Sequence, residues 1–537
     1  MKPGFAVILG AAVVLSTPAA SATVKQGGAA VVTFSNELTT LDPQVGYDWQ
    51  NWSVIKSIFD GLMDYKPGTT ELEPDLAESY AVSADGLTYT FKLRPGVRFH
   101  NGRSMDSRDV KYSLERAVSP KTQSPGSGYF SAILGYDDLV AGKAQELSGV
   151  KTPDDRTVEI TLTRPDATFL HLMAINFSYV VPREEVEKAG TNWARQPVGT
   201  GSFRMVEWTS GQKLVLERNR NYYRGNLPYL DRITFEFGQD PTIAVLRVKN
   251  GEVDIAGDGI PPAQFIEITT DAATKALVVE GEQLHTAYLA MNVTKPPFDD
   301  VNVRRAVNMA INKDRIVRLI NNRAKPATQA LPPAMPGYNP DNKDYGYDIE
   351  SARKLIEEAG HGDGFTTELY TMNVDPNPRI AQAIQQDLAA IGIKAEIKSL
   401  AQAEVISAGG SGTAPMIWSG GIAYIADFPD AANLYWSGLS CGAAIEGGWN
   451  WARYCNKALD ERAAKADGMV KNDQAAARIA EWRSVFDEIS RDAPWVPIFN
   501  ERQFAFHSAR LGGDPALFVD PIHIPVNYDY IYSKDVQ

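Results

Sequence analysis

Tyr47 and Trp49 flank Asp48 in the stretch Gln44–Trp49, placing two aromatic rings beside one carboxylate in a segment that reads as a loop. Rings so placed can stack on a sugar ring, a side chain or a peptide plane. The tryptophans of this region, Trp49 and Trp52, can equally plug a local core, and residue type alone leaves both uses open. Catalytic chemistry finds no constellation. His100, His171, His285, His361, His507 and His523 are scattered, without a His-Glu-x-x-His or other ligand spacing, and read as surface or structural residues, His361 as a turn residue. Gly409-Gly410-Ser411-Gly412 does not fit the Gly-x-Ser-x-Gly elbow and reads as a flexible loop. Gly199-Thr200-Gly201 lacks the third glycine of a dinucleotide fingerprint and has no phosphate-loop lysine. Asp and Glu total 66, yet no pair stands out by spacing. No catalytic residue, metal or cofactor is therefore expected. A secreted α/β hydrolase stays as the alternative of a different class, working through contacts that spacing does not display.

The first residues read as an export signal. Lys2 supplies the positive start, Phe5–Leu15 the apolar run, and Ala20-Ser21-Ala22 a small-x-small cleavage site. The run is shorter than the roughly 20 residues a membrane-spanning helix needs. The mature chain is expected to begin near Thr23, in a periplasm, and no cysteine at the cleavage site offers a lipid anchor. That oxidising compartment bears on Cys441 and Cys455, the chain's two cysteines, which bound a short glycine-containing segment. A disulfide between them is expected, two buried thiols being the alternative. Closing a loop of about 15 residues contributes roughly 3 kcal/mol in the chain-entropy description. The spacing is not the Cys-x-x-Cys of a redox pair.

The elements that must position these residues alternate between strand and helix, which predicts mixed α/β domains. At 537 residues the chain is too long for one core. A formal charge of −13 argues against nucleic-acid or anionic-membrane partners, which reward clustered Lys and Arg. Helices are predicted over 301–321 with an Asp299 or Asp300 cap, over 348–359 stopping at Gly360, and over 379–390. The last leads through Ile391-Gly392 into an alternating strand at 393–397. Residues 85–120 read as a strand, a Pro95-Gly96 turn, a short strand ending at His100, an Asn101-Gly102 turn and a helix capped near Ser107.

As a string, DGLTYTFKLRPGVRFHNGRSMDSRDVKYSLERAVSP from Asp85 resembles the signature of the family 5 extracellular solute-binding proteins. Further landmarks follow in the order expected of that family. They are LDP at Leu41, IFDGLMDY at Ile58, LEPDLAESY at Leu72, PVGTGSFRMVEW at Pro197, LERNRNYYRGNLPYLDRI at Leu216, MNVTKPPFDDVNVRRAVNMAINKDRIV at Met291, DIESARKLIEEAG at Asp348, ADFPD at Ala426 and DAPWVPIF at Asp492. The resemblance implies a bilobal α/β periplasmic-binding-protein fold of the cluster C type, with an extra subdomain in the first lobe. Lobe I would take 23–68, 199–286 and 497–537, the subdomain 69–198, and lobe II 287–496. It also implies a monomeric receptor, without cofactor, that carries a ligand to an inner-membrane ABC permease.

Ligand contacts are carried over residue by residue. The stretch with Tyr47 and Trp49 touches the ligand in resembling peptide receptors. An aromatic three residues before an aspartate falls on Tyr424 and Asp427, where the acid would meet a peptide's α-ammonium or, alternatively, hydrogen-bond backbone amides before the helix near Asp430. Tyr129 matches an aromatic that reaches the cleft from the subdomain, and Phe499 and Asn500 lie on the last crossover. The arginine that certain oligopeptide members place three residues before that aromatic is Gly421 here, which implies a different carboxylate partner or a ligand without one. Short peptides are the first ligand expectation, with opines, oligosaccharides and other solutes as alternatives.

Overall fold

A computed structural model describes residues 24–343, 345–422, 424–513, 519 and 526–536, with the Trp49 side chain outside the description. The expected export signal and its cleavage site lie outside the described residues. Three sheets carry the architecture. In the first, Ala29–Thr33 runs parallel to Arg232–Glu236 on one side and to Ile255–Ala256 on the other. Lys213–Arg218 and Phe203–Thr209 then extend it antiparallel. Val32, Leu216, Ile233 and Phe235 bury one face of this sheet against Val54, Ile55 and Ile58 of helix Trp49–Ile58.

A separate four-stranded antiparallel sheet is made by Ala77–Val82, Thr88–Leu93, Thr157–Thr161 and Val150–Asp154. Helix Ser107–Val118 packs on it through Val110, Leu114, Ala117 and Val118. Asp106 caps that helix in a capping box with Asp109, so the chain's most recognisable segment starts where polar spacing places it. The short strand expected to end at His100 does not form. Only the single bridge Arg98–Ser104 remains, because Val97 and Phe99 are drawn into the core.

The third sheet is organised on the long strand Trp495–Phe506. Phe499 pairs with both Ala287 and Pro326, so His285–Met291 and Ala324–Pro326 lie on its opposite edges. The far end of the same strand, Arg502–Phe506, pairs with Val278–Glu282. His285–Met291 is buried at every position, as a central strand covered on both faces should be. Beyond it lie Met416–Trp418 and Tyr424–Ile425, then the parallel pair Phe365–Met372 and Ile393–Leu400.

Helices expected from periodicity form with adjusted ends. Ile349–Glu358 is capped by Asp348 and followed by Gly360 at φ +81°, and Asn377–Ala389 precedes the parallel strand. The helix expected over 301–321 is two, Val301–Ala310 and Lys313–Leu319. Asn312 breaks it by capping the second, accepting from the Arg315 amide at 2.9 Å, while its own amide donates to Asp387. Gly409 and Gly410 are not a loop. They end helix Gln402–Gly410 beneath Trp451, whose ring would lie 2.7 Å from a Cβ at Gly409. Cys441 and Cys455 form the expected disulfide, with Cα atoms 4.3 Å apart.

Between the first sheet and the four-stranded one lies a buried polar cluster. Lys56 pairs with Asp64 at 2.5 Å and Arg224 with Asp75 at 2.6 Å. Asp60 accepts from Thr200 at 2.7 Å and Tyr222 at 3.1 Å, and Asp529 accepts from Ser202. Two cations thus face four carboxyl groups, and charge balance favours a bound proton. Burial, reinforced by the charge of Asp75, pushes Asp60 up to about 8. The folded protein then holds a proton that the unfolded chain releases near pH 4, so the Asp60 contribution to stability is fully present below that pH and is lost as pH rises toward 8. A single proton sets the steepest slope at about 1.4 kcal/mol per pH unit. Asp60→Asn is expected to flatten this loss in urea titrations between pH 5 and 8. An unchanged slope would mean that Asp60 is ionised in the folded protein.

Candidate ligand-binding site

A cleft of about 510 Å³ opens where the first and third sheets face each other. The first sheet's side supplies Tyr47, Trp52 and Asp258, and the third contributes Asp427, Arg323 and the strand residues Glu501–Ala505. Asp258 sits between Gly257 and Gly259 after a buried strand end. Gly257 is required there, since a Cβ would lie 2.4 Å from the Thr33 carbonyl oxygen. The Asp258 carboxylate is spent on Ser35, through its amide at 2.6 Å and hydroxyl at 3.0 Å, and on Gln50 at 3.0 Å.

Asp427 is the meeting point of three regions. Its Oδ1 accepts from the Tyr47 hydroxyl at 2.9 Å, and its Oδ2 accepts from the Tyr129 hydroxyl. Tyr47 comes from the loop before helix Trp49–Ile58 and Tyr129 from the short helical turn Ser127–Phe130 beside the four-stranded sheet. Both rings pack on Phe177, at 5.6 and 6.1 Å between centroids, and Trp52 meets Tyr47 edge-on at 5.4 Å. Burial first, then the Asp427 charge, pushes the pKa of both tyrosines above the usual phenol value, so they remain protonated donors.

The loop that presents Asp427 is held from behind. Asn433 Oδ1 accepts from the Asp427 amide at 3.1 Å and from the Tyr424 hydroxyl at 2.6 Å. Asn433 lies on helix Ala431–Gly438, whose cap is Asp430, bonded to the Ala432 amide at 2.9 Å. The capping use left open for Asp427 therefore belongs to Asp430, and the Asp427 carboxylate is turned to the cleft. Arg478 grips Asp430 with two bonds, at 2.6 and 2.9 Å. Burial alone would raise the Asp430 carboxyl, but the guanidinium outweighs it and holds the group below its usual range.

Of the residues singled out from the sequence, Tyr47, Tyr129 and Asp427 converge. Tyr424 stands one shell back, on Asn433. Trp49 opens its helix, its side chain undescribed. Phe499 and Asn500 are not at the cleft wall. Phe499 is packed with Trp418 and His285 at 5.7 and 6.3 Å, and Asn500 donates to the His285 carbonyl at 3.0 Å. The strand reaches the cleft only after them, at Glu501, where the apolar run Trp495–Phe499 gives way to the polar Glu501-Arg502-Gln503. That change of polarity within one strand was a usable signal. Arg323, after the left-handed pair Asn321 and Asn322, carried no such pattern.

Two halves meeting over a cleft, joined by strands that run from one into the other, define a bilobal binding protein of the periplasmic type. The comparisons agree. The profile of the bacterial extracellular solute-binding proteins, family 5 Middle, matches residues 71–445. The dipeptide-binding protein of Escherichia coli is 32% identical over 81% of this chain and 85% of its own length. Heme-binding protein A of Haemophilus influenzae is 31% identical over 90% of this chain and 87% of its own. An ABC transporter-associated periplasmic binding protein of Helicobacter pylori, solved with the peptide STSA, superposes with a TM-score of 0.74 at 26% identity, covering 95% of this chain and 99% of that one. This chain belongs to the family 5 extracellular solute-binding proteins. No helix of the described residues is long and apolar enough to cross a membrane.

Proposed function

We propose that this protein is a periplasmic receptor that captures short peptides and delivers them to an inner-membrane ABC importer. The observation that carries this reading is the Asp427 carboxylate, presented at the cleft with two tyrosine hydroxyls on it. An acceptor-only group beside the aromatic rings of the cleft suits an ammonium, which has three donors and no acceptor. The lobes are proposed as 23–68 with 199–286 and 497–537, the subdomain as 69–198, and the second lobe as 287–496. The distribution of the three sheets among these ranges supports that division, although strands His285–Met291 and Trp495–Phe506 each run across one of its borders. Ligand would draw the lobes together to the extent that it binds the closed form better than the open one.

Titration calorimetry with a panel of di- to tetrapeptides, paired with small-angle scattering, tests this. One-to-one binding, a smaller radius of gyration and recovery of intact peptide are expected. Cleavage of the peptide would favour a hydrolase, and a panel without any binder would remove the peptide assignment.

A further inference from the structure

Arg323 lines the same cleft as Asp427 and is placed differently from every other charged group on its wall. Asp258 is held by Ser35 and Gln50, Asp48 caps a helix, Arg502 pairs with Glu280, and Glu501 lies 3.7 Å from the His285 ring. The Arg323 guanidinium lies over the Phe265 ring, 5.3 Å from its centroid. Among the described residues no carboxylate pairs with it, and its buried Nε meets no acceptor. A guanidinium braced on an aromatic face keeps its fork of donors oriented, and that fork matches a carboxylate.

The sheet sets how far this group lies from Asp427. Ala324 pairs with Glu501, the Glu501 amide donates to His285 Nδ1 at 3.2 Å, and His285 pairs with Ile425. These four residues form a row across four neighbouring strands. Strands lie about 4.8 Å apart, so the ends of the row are roughly 14 Å apart. Arg323 adjoins one end and Asp427 follows just beyond the other. A peptide covers at most about 3.3–3.6 Å per residue. Four extended residues would fill the row, and the inward reach of the two side chains shortens the fit to two or three.

We infer that Arg323 anchors a carboxylate of the ligand, and that the ligand is a zwitterion of two or three residues lying across the strands between Asp427 and Arg323. The inference rests on the peptide reading above. Arg323 would then be the carboxylate partner that Gly421 does not supply.

Calorimetric titration of the full mature chain with di-, tri- and tetraalanine, and with the C-terminal amide of each, tests it. The wild type should prefer the free acids by tenfold or more, with the strongest binding at two or three residues. Arg323→Gln should bind acid and amide alike, at the wild type's amide level, and Arg323→Lys should keep part of the preference. If Arg323→Gln retains the full preference, or if the wild type binds acids and amides equally, Arg323 is not the anchor and the peptide reading stands without it. If the wild type binds none of these peptides, the reading and the inference built on it fall together.

Discussion

Asp427→Asn is expected to weaken peptide binding by ten- to a hundredfold while leaving the melting temperature nearly unchanged. A hydrogen bond between ionised partners contributes about 1.5–3 kcal/mol, and each 1.4 kcal/mol is a factor of ten in affinity. The substitution keeps the side-chain shape and one acceptor oxygen but removes the charge that an ammonium would meet. It also replaces one of the two oxygens that accept from Tyr47 and Tyr129 with a donor. Asn keeps one acceptor oxygen for these hydroxyls, and Tyr47 as a residue is half exposed, so the fold loses little. Calorimetry and a thermal melt on the same preparation decide the matter. A large drop in melting temperature with affinity intact would make Asp427 a latch of the fold rather than a ligand contact.

The second large effect falls behind the cleft. Arg478→Met should destabilise the protein by about 3–5 kcal/mol, because it strands the Asp430 carboxylate, 3% exposed, without its partner. The damage should reach Asp427 through the chain of contacts Asp430, helix Ala431–Gly438 and Asn433. Ligand affinity should therefore fall together with stability, unlike in Asp427→Asn. The double variant Asp430→Asn, Arg478→Met should recover part of the loss, since Asn keeps the helix cap without a buried charge. Urea midpoints for the three proteins provide the measurement. A single variant as stable as the wild type would show that solvent reaches Asp430.

Periodicity and polar caps made much of the fold legible. Asp106, Asp300 and Asp348 begin helices because a short carboxylate satisfies free amides at a helix start, and such a signal is local. Asn312 was less visible, since a cap in the middle of an apolar period looks like one more polar face. Gly409 looked like loop chemistry, yet it serves the close approach of Trp451, a residue 42 positions away. The cleft followed the same division. Resemblance singled out Tyr47, Tyr129 and Asp427, which the fold brings together although no spacing rule connects them. Phe499 and Asn500 were misplaced because a strand's entry into the cleft is set by which neighbour it pairs with at each step. Asp258 and Arg323 depend on tertiary placement alone.

The strand Trp495–Phe506 gives this protein a particular evolutionary constraint. Its residues pair first with His285–Met291 and then with Val278–Glu282, and the stretch Glu501–Ala505 between the two halves also lines the cleft. In the proposed receptor, a change there would touch ligand preference and lobe movement together, coupling the two traits. Variation that retunes specificity alone must collect on side chains that line the cleft from outside this strand, such as Tyr47 and Asp427. Engineering new specificity into this scaffold should therefore begin at those side chains and leave the strand as it is.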